Sequence, residues 1–233
     1  MYSFVDYRIT EIEFLNLKKH GVIPIKVPKT NLVYDAINGH PDIQLSIIDS
    51  QNKHILVHKD INKSFLDILN EFDIKFSFSK NSLKNKYPYD IILNSLISDN
   101  FFMHNLKFTD PNLLSLCNEK TLLDVKQGYT KCSVLKIKED AFITSDKVIF
   151  NKLNSNGYDT LLVPPGDIIL EGLDYGFIGG TGGMIDDNHL AFFGSLDNYL
   201  YGDIIKSFLS KHGVTPIYLS DSKLIDRGSI LSI

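Results

Sequence analysis

The chain has 233 residues, 43% of them hydrophobic and 22% charged, with a formal charge of −4. That is enough apolar chain for a substantial core, as one domain or two small ones, and too acidic to attract nucleic acid or an anionic membrane. Two cysteines without a regular framework fit a reducing compartment, and no apolar run reaches the length of a membrane span. Residues 1–14 carry Asp6, Glu11 and Glu13 and show no basic-then-apolar leader. A cytoplasmic protein is expected, and the richness in Ile, Asn and Lys is that of an AT-rich bacterial genome.

In chain order, Thr10 and Glu13 form a capping box. Ile12, Leu15 and Lys19 continue at helical spacing, Gly21 ends the helix, and 22–27 reads as a buried strand. From Asp42, apolar Ile43, Leu45 and Ile47 alternate with Gln44 and Ser46, which predicts a half-buried strand turned by 49–52 into a second at 54–57. Ile61, Phe65, Ile68, Leu69 and Phe72 mark a helix face, and 74–78 the next strand. The same order returns three times. Strands are predicted at 90–96 and 101–103, a helix opened by Asp110-Pro111, and a strand at 121–125. Strands at 131–137 and 141–144 precede a helix at 148–153 and a strand at 160–163. Strands at 177–185 and 189–193 precede a helix at 199–210, with Ile204, Ile205, Phe208 and Leu209 inward, and a strand at 214–219.

Four modules of strand, strand, helix, strand are thus complete, at 40–80, 88–127, 128–166 and 175–221. The fifth is split: 226–233 supplies a leading strand that closes against 1–28. The spacing of about 48 residues suits a propeller-like repeat, and a repeat broken across the termini fastens a ring with no open edge. A single domain over 1–233 is expected, an α/β propeller with five-fold pseudosymmetry; an open α+β sheet is the alternative.

In such a ring the first strand of each module lies nearest the axis, so its polar residues converge. These are His40 and Asp42, Asp90 and Asn94, Lys131, Cys132 and Ser133, Thr181, and Asp226, Arg227 and Ser229. A nucleophile, a base and carboxylates are among them, the set thiol catalysis requires. The glycine cluster 176–183 lacks the helix that a phosphate loop or a dinucleotide fingerprint needs. It predicts close backbone approach, to a ligand or, as we expect, to other strands at a crowded centre.

Five such modules in a ring resemble the pentein fold of the guanidino-group-modifying enzymes: arginine deiminases, dimethylargininases, amidinotransferases and agmatine deiminases. The resemblance spans nearly the whole chain and is nearest to an uncharacterised bacterial branch, a domain of unknown function. His40-Pro41-Asp42 matches the family's His-x-Asp, which implies a catalytic His40 and a guanidinium-binding Asp42. Residues 128–133, Gly-Tyr-Thr-Lys-Cys-Ser, partly match the motif of the nucleophile, which implies Cys132. Ile178 and Thr181 stand where the family's Glu-Gly-Gly-Asp has carboxylates, and Lys131 stands where a His precedes the nucleophile.

The resemblance implies a Cys-dependent hydrolase or transferase for a small guanidine-like molecule. Catalysis would fall to Cys132 and His40, and binding to Asp42, Asp90, Asn94, Lys131, Thr181, Asp226 and Arg227. The alternative is a non-catalytic pentein-like module that binds a small polar ligand or a protein. Cys132 on a strand reads as a packing residue or, where Lys131 lowers its pKa, as a nucleophile, whereas Cys117 on a helix face reads as core. His20 and His212 end helices and face their carbonyls. No zinc spacing is present; neither a metal nor a cofactor is expected, and nucleic-acid and membrane partners are not.

Overall fold

The computed structural model describes residues 1–233. The chain runs β1 (Tyr2–Asp6), α1 (Glu11–Lys19), β2 (Ile23–Val27), α2 (Pro41–Gln44), β3 (Leu45–Asp49), β4 (His54–Val57), α3 (Lys63–Glu71) and β5 (Lys75–Phe78). It continues through β6 (Leu96–Ile97), β7 (Phe101–His104), α4 (Pro111–Leu116), β8 (Thr121–Asp124), β9 (Val134–Lys136), β10 (Ala141–Thr144), α5 (Lys147–Ser155) and β11 (Asp159–Leu162). β12 (Gly182–Met184), β13 (His189–Phe192), α6 (Gly202–Lys211), β14 (Thr215–Tyr218) and β15 (Leu231–Ser232) complete it.

These strands form five three-stranded sheets: β3-β4-β5, β6-β7-β8, β9-β10-β11, β12-β13-β14 and the composite β15-β1-β2. In each, the first strand pairs antiparallel with the second, and the third returns parallel to the second after a helix. A three-stranded sheet cannot bury both faces alone, so neighbours must stack. The five hydrophobic cores show this directly, because each is shared by two successive sheets. Phe4 and Ile25 meet Leu45 and Phe65. Leu56 meets Phe102 and Leu113. Phe101 and Leu123 meet Phe142 and Ile149. Ile143 meets Phe192 and Ile205. Ala191 and Leu219 meet Val5 and Leu17. The last pairing returns to the first sheet, and the ring is closed. No helix is long and apolar enough to cross a membrane.

Local chemistry accounts for the helices. Thr10 accepts from Glu13 N while Glu13 accepts from Thr10 N, the capping box expected. Asn62, Asp110 and Asp146 cap α3, α4 and α5.

Several expected boundaries move. The stretch 42–44 lies in α2, 90–95 is turn, 131–133 is turn, and Ile178–Thr181 is a 3-10 turn, so the leading strands are shorter than their apolar runs. Only Leu231–Ser232 of 226–233 is strand, and α6 starts at Gly202, not at 199. β1, which no alternation marked, is the middle strand of the closing sheet. Helix α1 buries Glu13 and Leu17, whereas Ile12 (65% exposed) and Leu15 (47%) face outward. The reason is electrostatic: Glu13 is turned inward to cap Thr10 and to meet Arg227. Ile204 of α6 is likewise exposed.

Gly179, Gly182 and Gly183 lie where other backbone passes, whereas Gly176 and Gly180 pack against the Asp226 side chain. A Cβ on Gly179 would overlap the carbonyls of Lys131, Cys132 and Val134, and one on Gly183 the carbonyl of Ile230. Crowding between strands accounts for Gly179, Gly182 and Gly183, and close approach to the Asp226 carboxylate for Gly176 and Gly180.

Candidate functional site

The polar residues that were expected on the leading strands lie on the turns just before them, where the five modules meet. His40 is the N-cap of α2 and Asp42 lies in its first turn. Asn94 precedes β6, Lys131 and Cys132 precede β9, and Asp226 and Ser229 precede β15. His40, Asp42, Asn94, Cys132, Asp226 and Ser229 are all buried.

Asn94 ties three modules together. Its Oδ1 accepts from the backbone N of Lys131 (2.9 Å) and of Cys132 (3.2 Å). Its Nδ2 donates to the Asp42 carbonyl (2.9 Å) and to Cys132 Sγ (3.1 Å). The amide is fully occupied, so Asn94 positions Cys132 and has no group left for a ligand.

Cys132 Sγ donates to Asp42 Oδ2 at 3.2 Å. Ser229 Oγ lies 2.7 Å from the same oxygen and 2.8 Å from the Gly179 carbonyl, and accepts from Lys131 Nζ at 3.0 Å. Ser229 is held at φ 72, a left-handed conformation in which a non-glycine residue is strained. Asp226 accepts from Phe177 N (2.8 Å) and Gly228 N (3.0 Å), and its Oδ1 stands 3.9 Å from His40 Nδ1. Neither ring nitrogen of His40 has a hydrogen-bond partner, nor does Asp42 Oδ1. Buried polar atoms left unpaired are costly and mark a place built for an occupant. A nitrogen of His40, an oxygen of Asp42 and Cys132 Sγ lie within 4.8 Å of one another, the one group in the protein with the donors and spacing to hold a metal ion.

Burial first, then the charges of Asp42 and Asp226, push the Cys132 thiol well above its ordinary pKa. This corrects the expectation for Lys131. Its ammonium is engaged with Ser229, and burial pulls its own pKa down. Burial also raises the Asp226 carboxyl.

Asp90 stands one step away. Its Oδ2 accepts from Tyr129 OH (2.6 Å), which in turn meets Tyr34 OH (2.9 Å). Burial raises the pKa of Asp90 and of both tyrosines. The Tyr129 ring also stands 6.0 Å from that of Phe177. Two expected residues do not join the cluster. Thr181 Oγ1 donates to the Ile178 carbonyl of its own turn. Arg227 points back into its own split module, donating to the Arg8 carbonyl and lying 3.4 Å from Glu13. On the other side a cleft of about 1030 Å³ runs down the axis between the leading strands, with Asp42, Leu93 and Lys131 in its lining.

Outside the cluster, Cys117 is core, with a thiol pushed up to about 11 by burial. His20 and His212 are the C-caps of α1 and α6, and the His212 ring also meets Asp159 at 2.7 Å.

A model of a family of unknown function (DUF6873) matches residues 4–231. The chain belongs to that family. No curated protein matches it in sequence. Among solved structures, the inosamine-phosphate amidinotransferase of Streptomyces griseus shares 12% identity at a TM-score of 0.59, over 94% of this chain and 77% of its own. An amidinotransferase of saxitoxin biosynthesis from Microseira wollei gives 12% and 0.56, over 93% and 74%. DDAH from Pseudomonas aeruginosa, complexed with citrulline, gives 7% and 0.54, over 94% and 92%. At such identities the likeness is one of fold, and the DUF6873 chain has the pentein fold.

Proposed function

We propose that the protein is an enzyme that uses Cys132 to act on a small guanidine-like cation. The observation that carries the reading is the convergence of Cys132, Asp42, His40 and Asp226 at the ring centre, with the His40 nitrogens and Asp42 Oδ1 unpartnered. A planar cation suits two buried carboxylates, and its charge favours the thiolate that burial opposes. Cys132 Sγ then bonds to the guanidinium carbon, and the thiol proton passes through His40 to the departing amine. Water, or an amine in a transfer reaction, attacks the same carbon and releases Cys132. The fold shared with two amidinotransferases and DDAH supports this chemistry.

The second reading, a non-catalytic module that binds a small polar ligand, is favoured by the protonated and enclosed thiol. One experiment separates the two. The folded protein is treated in parallel with 2-chloroacetamidine, which is cationic and shaped like a guanidinium, and with neutral iodoacetamide, and each cysteine is read by mass spectrometry. The enzyme reading expects rapid labelling of Cys132 by the cation, slow labelling by the amide, and loss of the preference in Asp42→Asn. If neither reagent reaches Cys132 in the folded protein, the covalent reading fails and the binding reading stands.

A further inference from the structure

The three central side chains offer nitrogen, oxygen and sulfur to one point. Metal–ligand bonds of about 2.0–2.3 Å place tetrahedral donors roughly 3.3–3.8 Å apart. Cys132 Sγ and Asp42 Oδ2 are 3.2 Å apart, and the His40 nitrogen completes a set within 4.8 Å. Small side-chain rotations close that set. We propose that His40, Asp42 and Cys132 bind a divalent ion of the zinc class, with a fourth position left to solvent or a small anion.

Three observations beyond the spacing support the assignment. Both His40 nitrogens and Asp42 Oδ1 are buried without partners, and an ion would engage one of the nitrogens and the Asp42 carboxylate. The surroundings suit a metal centre: Asp226 Oδ1 stands 3.9 Å from His40 Nδ1, beyond hydrogen-bond length but on the side from which a carboxylate orients a metal-bound histidine. Asn94 Nδ2 donates to Cys132 Sγ and Ser229 Oγ to Asp42, so the sulfur and oxygen donors are also held from behind. The charges match, since a thiolate and a carboxylate together neutralise a divalent ion. Sulfur and imidazole select zinc, cobalt or copper over magnesium and calcium. Local spacing could not show the site, because Cys132 joins the other two from 90 residues away in sequence.

On binding, the Cys132 S–H bond breaks, a sulfur–metal bond forms, and one proton leaves to solvent. The ion and a covalent substrate compete for the same sulfur, so the metal acts as a brake on any chemistry at Cys132. The proposal does not depend on the guanidine reaction.

The test is optical. Metal-stripped protein is titrated with Co²⁺, and the thiolate-to-cobalt charge-transfer band and tetrahedral visible bands are followed. We expect saturation at one ion per chain and displacement by Zn²⁺. The bands should vanish in Cys132→Ser and His40→Ala, persist in Cys117→Ser, and need roughly 10–100-fold more cobalt in Asp226→Asn. Circular dichroism confirms that each variant is folded. X-ray absorption of zinc-loaded wild-type protein gives the same decision without a variant, through a sulfur shell near 2.3 Å. No charge-transfer band, bands that survive Cys132→Ser, or a zinc shell without sulfur would overturn the site. A chain that shows no cobalt band yet reacts with 2-chloroacetamidine at Cys132 loses the metal and keeps the enzyme; the reverse result does the opposite.

Discussion

At the centre of the ring a thiol donates its proton to a carboxylate, and that bond decides how Cys132 behaves. Burial and the charges of Asp42 and Asp226 hold the proton on sulfur. Removing the Asp42 charge should therefore release it, and Asp42→Asn is expected to speed alkylation of Cys132 by a neutral reagent at fixed pH. Cys117 in the same protein, held up by burial alone apart from a lowering contact with Lys120, should not change. Equal Cys132 rates in the two proteins would show that Asp42 does not hold the proton. His40 is fixed by a different neighbour. Gly228 has φ 70, and a Cβ there would overlap the His40 side chain. Gly213 has φ 65 with open space around it. Gly213→Ala should cost only the left-handed backbone, about 1–2 kcal/mol. Gly228→Ala should add an overpacking cost of about 1–3 kcal/mol, and urea midpoints of the two variants measure the difference. Equal losses would mean that the chain yields easily at His40.

At the scale of elements, caps carry quantifiable stability. Thr10→Ala removes one N-cap and should cost about 0.5–2 kcal/mol. Asp110→Ala should cost more, because Asp110 caps α4 through Asn112 N and also accepts from Lys80 N and Asn81 N. Denaturant unfolding of both variants tests the order, and a smaller loss for Asp110 would refute it. Such local signals are why the helices and third strands were legible: a cap, a periodic face and a following glycine each act within a few residues. The leading strands were over-read for a physical reason. Near the axis both sides of the chain are buried, as at Ile43, Gln44 and Leu45, so alternation cannot tell a strand from a turn. β1 was missed for the same reason, since Phe4 and Asp6 are buried alongside Ser3 and Val5. The repeat order brought His40, Asp42, Asn94, Lys131, Cys132 and Asp226 together before any coordinates did. It misassigned Thr181 and Arg227, because a polar residue on a leading segment can turn to its own backbone, as Thr181 does, or outward within its own module, as Arg227 does to Arg8 and Glu13. Tyr34 comes from a linker between modules, where no periodicity points inward, and it left no signal.

In the whole molecule, each core belongs to two sheets, so no module is stable by itself and the ring should unfold as one unit. The buried histidines give that unit a pH dependence. Burial lowers His58 and His104 from 6.5 to about 4. His104 donates Nε2–H to the Gly128 carbonyl and meets Thr109 through Nδ1, so it fixes the turn that carries Tyr129. His58 Nε2 faces Gln44 and its Nδ1 has no partner. Both are neutral in the folded chain near neutrality. As pH falls below about 6.5 the unfolded chain takes up these protons and the folded chain does not, so stability declines until about pH 4, where the folded histidines also protonate. A shift of this size is worth about 3 kcal/mol for each histidine, a large share of the roughly 5–15 kcal/mol typical of a domain. The raised carboxyls of Asp90 and Asp226 act in the opposite sense, because the folded chain takes up their protons first as the pH falls. The expected outcome is a urea midpoint that is level above pH 7 and falls between pH 6.5 and 4. Replacing His104 and His58 together by Gln should flatten that fall while lowering stability at pH 7. A wild-type midpoint that does not move across this window would mean that neither imidazole is held neutral by the fold.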